Sequence, residues 1–159
     1  MEEREKKNYK TFYYEGIHGM REALQYHVDE MKGKELIGFY ASDHDAPAEL
    51  VEIFLKWNEE TRKRNTTTRV IVPNHPSLKK WRELDIAHGR TAKVIPYEEY
   101  SANISIDAGD TFVRILMFKE LQAVIIENPD VARTMKQIFE IVWKNRPEKE
   151  KGAVFEKKE

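Results

Sequence analysis

At 159 residues, with 40% hydrophobic and 11% aromatic side chains, the chain is sized for one domain with an ordinary buried core. Its 27 Lys+Arg against 28 Asp+Glu leave a net charge of -1, which removes any global electrostatic pull toward nucleic acid or an anionic membrane. The absence of cysteine excludes disulfides, thiolate nucleophiles and Cys-ligated zinc, no apolar run reaches the roughly 18 residues of a membrane span, and the opening MEEREKKNYK lacks the apolar segment of a secretory signal.

A cytoplasmic protein with no membrane partner is therefore expected. Along the chain, YKTFYY (9–14) mixes aromatic and β-branched types and stops at Gly16, which predicts a strand. Ile17, Met20, Leu24, Val28 and Met31 then recur three or four apart, with Arg21, Glu22 and Asp29 on the other side, predicting a helix that runs to near Gly33. ELIGFYAS (35–42) is a nearly continuous apolar run, as in a strand covered on both faces. A second helix is predicted from about Pro47, with Leu50, Phe54, Trp57 and Thr61 on its apolar side. TTRVIVP (67–73) reads as a third strand, SLKKWREL (77–84) as a short helix capped by Ser77, and TAKVIP (91–96) as a fourth strand. A β-α-β-α-β-α-β order implies parallel neighbours, because such strands need crossover connections.

After Tyr100 the rhythm changes to three short strands, NISI, TFVRILM and QAVIIE, joined by tight polar turns, the pattern of antiparallel pairing. NPDVARTMKQIFEIVWKNRP then carries a helix: Asn128 as cap, Pro129 first, Asp130 at the positive end, and Val131, Met135, Ile138 and Val142 as its core stripe, with Pro147 as terminator. The expected fold is α/β, with a mixed, mostly parallel central sheet flanked by helices. The expected division is a charged N-terminal extension over 1–9, the domain over 10–146 and a flexible tail over 147–159.

ISIDAGDTFVRI (104–115) places two carboxylates, Asp107 and Asp110, near one turn. An Ala-Gly step supplies the positive backbone dihedral of a short hairpin, and Asp caps nearby N–H groups. A catalytic acid pair needs one carboxyl held protonated by burial or a close like charge, so the pair is read as turn chemistry. His18 and His27 stand nine apart, not at the four-residue spacing that puts two imidazoles on one metal. His44 in ASDHDAP and His75 in VPNHPS follow strands read as parallel, where open α/β sheets form their ligand crevices. Asp43, His44, Asp45 and His75 could converge there on a polar ligand or a metal. The plainer alternative has Asp43 and Asp45 capping the next helix and both histidines solvated. His88 in AHGR reads as a loop residue.

The basic run TRKRNTTTR (61–69) offers a local phosphate contact, yet Arg62, Lys63 and Arg64 fall at a helix C-terminus, where the macrodipole favours cations anyway. No aromatic residues interleave with them. P-loop, GxGxxG, nucleophile-elbow and HExxH motifs are all absent. The candidate ligand contacts are Glu15, Ser42, Asp43, His44, Asn74, His75 and Tyr97, all near predicted strand ends on one edge. No catalytic residue, metal or cofactor is assigned.

FYYEGIHGMREAL, WNEETRKRNTTTRVIVP, AKVIPYEEY and AVIIENPDVARTMKQIFEIVWK resemble the effector domain of TrmB-like archaeal and bacterial transcription regulators, whose fold is similar to one half of phospholipase D. The marks are Tyr14, Glu15 and Gly16 opening the first helix, basic residues Arg62, Arg64 and Arg69 around the third strand, the Ile95-Pro96 step, and Ile138 to Lys144 in the closing helix. The resemblance implies that catalytic relatives carry a His-x-Lys motif with a downstream Asp near NISIDAGD, where this chain has neither His nor Lys. It lacks the imidazole that attacks phosphorus. Only about nine charged residues precede the first strand, too few for the winged helix-turn-helix of the regulators. The expectation is thus a stand-alone effector-type domain, or a fragment of a longer regulator, that is non-catalytic, binds an unidentified small molecule, forms a homodimer and does not itself bind nucleic acid. Two alternatives stand beside it: a phosphodiesterase-like hydrolase using His44 or His75 with a divalent metal, and a pure dimerisation scaffold.

Overall fold

The computed structural model describes residues 9–101 and 103–146. The expected N-terminal extension and C-terminal tail lie almost wholly outside them. Strand β1 (Lys10–Glu15) leads into α1 (Gly16–Gln25); β2 (Glu35–Phe39), α2 (Ala48–Lys63) and β3 (Thr67–Pro73) follow. A 3-10 turn (Pro76–Leu78) opens α3 (Lys79–Leu84), and β4 (Arg90–Ile95), β5 (Ile104–Ala108), β6 (Phe112–Met117), β7 (Gln122–Glu127) and α4 (Pro129–Lys144) complete the chain.

All seven strands join one mixed sheet in the order β1-β7-β6-β5-β2-β3-β4. Only β2–β3 and β3–β4 are parallel; the other four pairings are antiparallel. The expected mostly parallel sheet is corrected here. The β1-α1-β2 passage is not a crossover between neighbours, because the β5-β6-β7 meander fills the space between β1 and β2. Helix α4 covers one face, packing Ala132 and Phe139 against Ile37, Ile71, Ala108 and Val113. Helices α1 and α2 cover the other face through Met20, Leu24, Leu50 and Trp57, with α3 adding Trp81 over Val70, Val72 and Val94.

Asn128 caps α4 as expected, its Oδ1 accepting the N–H groups of Asp130 (2.9 Å) and Val131 (3.3 Å). Of the expected core stripe, Met135 and Val142 pack against the core, but its other two positions do not. Ala132 and Phe139 are buried while Val131 and Ile138, one position earlier and so about 100° around the helix, face outward. Lys93 reaches from β4 to donate to the carbonyls of Trp143 (2.7 Å) and Arg146 (2.8 Å), closing the far end. Arg69 holds the middle of α4 by pairing with both Glu35 and Glu140.

The opposite face is organised by a charge pair. Asp107 and Arg114 are direct cross-strand partners on β5 and β6, and their side chains meet in two parallel bonds, Nε to Oδ1 at 3.0 Å and Nη2 to Oδ2 at 2.9 Å. They are 3% and 1% exposed. Asp107 is therefore not a turn residue, and that expectation is corrected; Asp110, exposed and paired with Lys34 and Lys136, is. Nor does Gly109 supply a positive φ. A Cβ there would meet the Phe112 ring at 2.5 Å, so the requirement is space. Gly38 opposes Asp107 on the next strand for the same reason: a Cβ would stand 2.6 Å from Tyr40 and 2.9 Å from the Asp107 side chain.

Arg114 also ends α1. Its Nη1 donates to the carbonyls of Ala23 (3.0 Å) and Leu24 (3.3 Å), two of the acceptors a helix C-terminus leaves open. The chain then turns through His27 at φ 53°, so Val28 and Met31 lie beyond the helix predicted to include them.

Replacing Arg114 by Met strands a buried carboxylate. Arg114→Met is expected to lower unfolding free energy by about 3–5 kcal/mol, read as a shift in urea midpoint, while Arg133→Met, at a pair 68% exposed on the arginine, changes it by less than about 1 kcal/mol. Equal effects from the two would contradict the assignment.

Candidate functional site

The chain leaves β2 pinned on both sides. Tyr40 N–H donates to Ile71 O (2.9 Å), extending the β2–β3 ladder, and Ala41 N–H donates to Ser105 Oγ (2.8 Å) on β5. These bonds set the direction of the segment from Ser42 to Asp45. The loop after β3 carries Asn74, whose N–H is tied to Ile95 O (2.8 Å), and His75. Tyr97 follows β4.

These three strand ends bring part of the predicted set together. The His44 and His75 rings stack at 4.4 Å between centroids and 22° between planes, and His75 meets Tyr97 at 5.2 Å. Ser42 Oγ lies 2.8 Å from His44 Nδ1, and His44 Nε2 lies 3.4 Å from Asp45. The ordering of these three resembles a nucleophilic relay, but Ser42 is buried and Asp45 is long for a hydrogen bond. His75 Nδ1 accepts the N–H of Ser77 (3.1 Å), so the neutral ring carries its proton on Nε2. Burial, and then the neighbouring His44, hold the His75 pKa below its ordinary value. It is His75, not Ser77, that caps the 3-10 turn.

Glu15 is not brought into this group. It sits exposed at the end of edge strand β1, four strand spacings from β2, roughly 19 Å across the sheet. Asp43 does not cap α2, whose N-cap is Pro47 with no side-chain bond. Instead it turns inward, buried, to accept Trp81 Nε1 at 2.9 Å and Lys80 Nζ at 3.0 Å. His88 is a buried residue rather than a solvated loop one, its Nε2 3.5 Å from Glu59. Arg62, Lys63 and Arg64 are each paired with Glu59, Glu60 or Asp29, as expected of a solvated helix end. Among the described residues no group of three or more His, Cys, Asp or Glu side chains is arranged to hold a metal ion.

Asp43 connects this rim to a cavity of about 70 Å³ between α2, α3 and the sheet. Its walls are aromatic and aliphatic: Phe54 and Trp57 from α2, Trp81 and Leu78 from the α3 region, Val72, Leu116 and Phe118 from the sheet. Tyr40, Asn58, Arg82, Arg90, Ser105 and Asp107 supply the polar edges. Tyr40 donates to Asp107 Oδ2 (3.2 Å), and burial followed by that carboxylate pushes its hydroxyl pKa well up, keeping it a phenol. Most of these residues belong to no recognisable sequence motif. The available signal was alternation: Ser105 and Asp107 occupy one face of β5, and Arg114 stands at the inward position of β6 directly opposite.

No protein-family model matches the chain, and no curated protein matches it in sequence. Solved structures do. The archaeal chromatin protein TrmBL2, whose structure is reported to show a novel mode of DNA binding, is similar at a TM-score of 0.55 and 14% identity, over 87% of this chain and 54% of that one. A phosphatidylserine synthase from Haemophilus influenzae Rd KW20 is similar at a TM-score of 0.51 and 10% identity, over 84% of this chain and 38% of that one. The chain thus spans about half or less of the length of either protein. The shared feature is the fold, a mixed sheet flanked by helices.

Proposed function

We propose that this chain is a non-catalytic domain that binds a small molecule in the cavity beneath α3, in the manner of a regulator's effector domain. The observation that carries the reading is the cavity itself: aromatic-walled and edged by a few polar groups. The regulator-like and phospholipase D-like neighbours support it at the level of fold. Ser105 and Asp107, which line the cavity, belong to the stretch NISIDAGD, near which the resemblance implies a His-x-Lys motif and where this chain has neither His nor Lys. Asp107 is committed to Arg114 and Tyr40. The Asp43–Trp81 bond gives an occupant a route to the rim, because moving Trp81 moves the loop that holds His44.

A second reading, a pairing module, is favoured by one observation. Val131, Ile138 and Ile141 lie within one side of α4 and are exposed, Ile141 by 65%. A second copy of the chain is the occupant this reading assigns to that face.

A screen of sugars, nucleotides, amino acids and small acids is expected to contain a compound that raises the melting temperature of the wild type and not of Trp81→Ala. Bis-p-nitrophenyl phosphate is expected to stay intact with or without Mg²⁺, Mn²⁺ or Zn²⁺; metal-dependent turnover lost in His44→Ala would replace this reading with the hydrolase. For pairing, sedimentation should show a concentration-dependent dimer weakened at least about tenfold by Ile141→Glu, and a wild-type chain that stays monomeric would remove that reading. For the rim, the folded His75 pKa lies below its unfolded value of 6.5. The folded state therefore takes up a proton less readily, and its stability is full above 6.5 and declines as pH falls toward the lower folded value. Asp43 and Asp45 oppose the shift without reversing it. Melting temperature should fall further between about pH 7.5 and about pH 5 for the wild type than for His75→Asn, and an equal fall would contradict the geometry.

A further inference from the structure

The charges around the cavity do not cancel. Asp107 is matched by Arg114 and Asp43 by Lys80, but Asp85 alone faces two guanidinium groups. Arg90 is fully committed: Nε to Asp85 (2.6 Å), Nη1 to Asn58 Oδ1 (2.7 Å), Nη2 to Trp81 O (3.3 Å). Arg82 gives Nε and Nη2 to Asp85 at 2.7 and 3.0 Å, and its Nη1 is buried with no hydrogen-bond partner among the described residues. Its side chain is 11% exposed and lines the cavity. Two buried guanidinium groups thus share one carboxylate at the cavity, a net positive excess that an anion would offset. Burial, the largest influence on Arg82, lowers its pKa, consistent with a cation short of a partner.

We propose that the cavity takes a short-chain aliphatic carboxylate, its apolar body against Trp57 and Trp81 and its carboxylate on Arg82; this rests on the ligand-binding reading above. The walls are almost entirely carbon, so the occupant is mostly hydrocarbon. At about 70 Å³ the space is near half of the roughly 150 Å³ that accommodates benzene, which sets the apolar body at about three non-hydrogen atoms. A monovalent carboxylate suits one free guanidinium nitrogen and one unmatched charge. A phosphate would bring further oxygens and a second charge that these walls leave unpaired. A carboxylate seated against Arg82 would satisfy the orphaned donor and offset the charge excess.

The test titrates the full chain with sodium propionate and isobutyrate, with propionamide, isobutyramide and inorganic phosphate alongside, read by calorimetry and by the fluorescence of Trp57 and Trp81 in the cavity wall. The expected result is saturable binding of the acids, at least about tenfold weaker binding of the amides, and none of phosphate. Arg82→Gln should weaken the acids at least about tenfold, and Ala41→Leu, which fills the cavity with Arg82 intact, should abolish binding, each variant being checked for folding by far-ultraviolet circular dichroism. The acid–amide comparison uses the wild type and decides the question even if a variant fails to fold. Amides that bind as tightly as acids overturn the carboxylate assignment and leave the cavity as a ligand site. Acids that fail to bind while another compound of the wider screen binds do the same. No binding by any compound overturns both.

Discussion

The guanidinium of Arg114 lies 5.2 Å from the Trp57 ring and 5.5 Å from the Phe112 ring, with Asp107 in front of it and two carbonyls of α1 at its edge. One side chain thus joins β6 to β5, ends α1, and packs on α2. Through Asp107 the same contact reaches Tyr40 at the exit of β2. A buried ion pair is weak evidence for net stability, since a hydrophobic pair of similar volume can do as well. What it contributes here is register. A one-residue slip of β5 against β6 would turn one charge to the α4 face and leave both unpaired in a low-dielectric interior. The space for the pair is kept by Gly38, where any side chain would collide with Asp107 and Tyr40.

From that pair the cavity follows by short steps. Ser105, two residues before Asp107 on the same face, holds Ala41, and the chain from Ala41 delivers Asp43 to Trp81 and Lys80. Trp81 is at once a cavity wall and the anchor of the loop carrying His44. The stacked His44–His75 pair and the cavity are two ends of one connected arrangement, linked by the Asp43 carboxylate. The ion pair belongs to the floor of the cavity, and α3, only six residues long, belongs to its roof.

The sequence made some of this readable and hid the rest for identifiable reasons. Helix α4 announced itself through Asn128, Pro129 and Asp130, since capping is local chemistry, but its buried line is Ala132–Phe139 and not Val131–Ile138, because the phase of a helix against a sheet is decided by packing. The antiparallel β5-β6-β7 meander was legible from its short strands and turns. Where β1 pairs was not, as an edge strand chooses its neighbour by long-range topology rather than by its own pattern. The convergence of Ser42, His44, His75 and Tyr97 came from the rule that crevices form beyond parallel strand ends, whereas Glu15 had no parallel neighbour to bring it there. Gly109 and Asp110 after it give Asp107 the local pattern of a turn residue. Its inward position on β5 and the facing Arg114 would have told otherwise.

The central claim is that Asp107 and Arg114 act as one unit on which the surrounding elements are set, and a double-mutant cycle tests it most directly. Unfolding free energies of the wild type, Asp107→Leu, Arg114→Met and the double variant should give a coupling of about 2–3 kcal/mol, with the double variant more stable than either single one. Additive losses, with no coupling beyond about 0.5 kcal/mol, would contradict it.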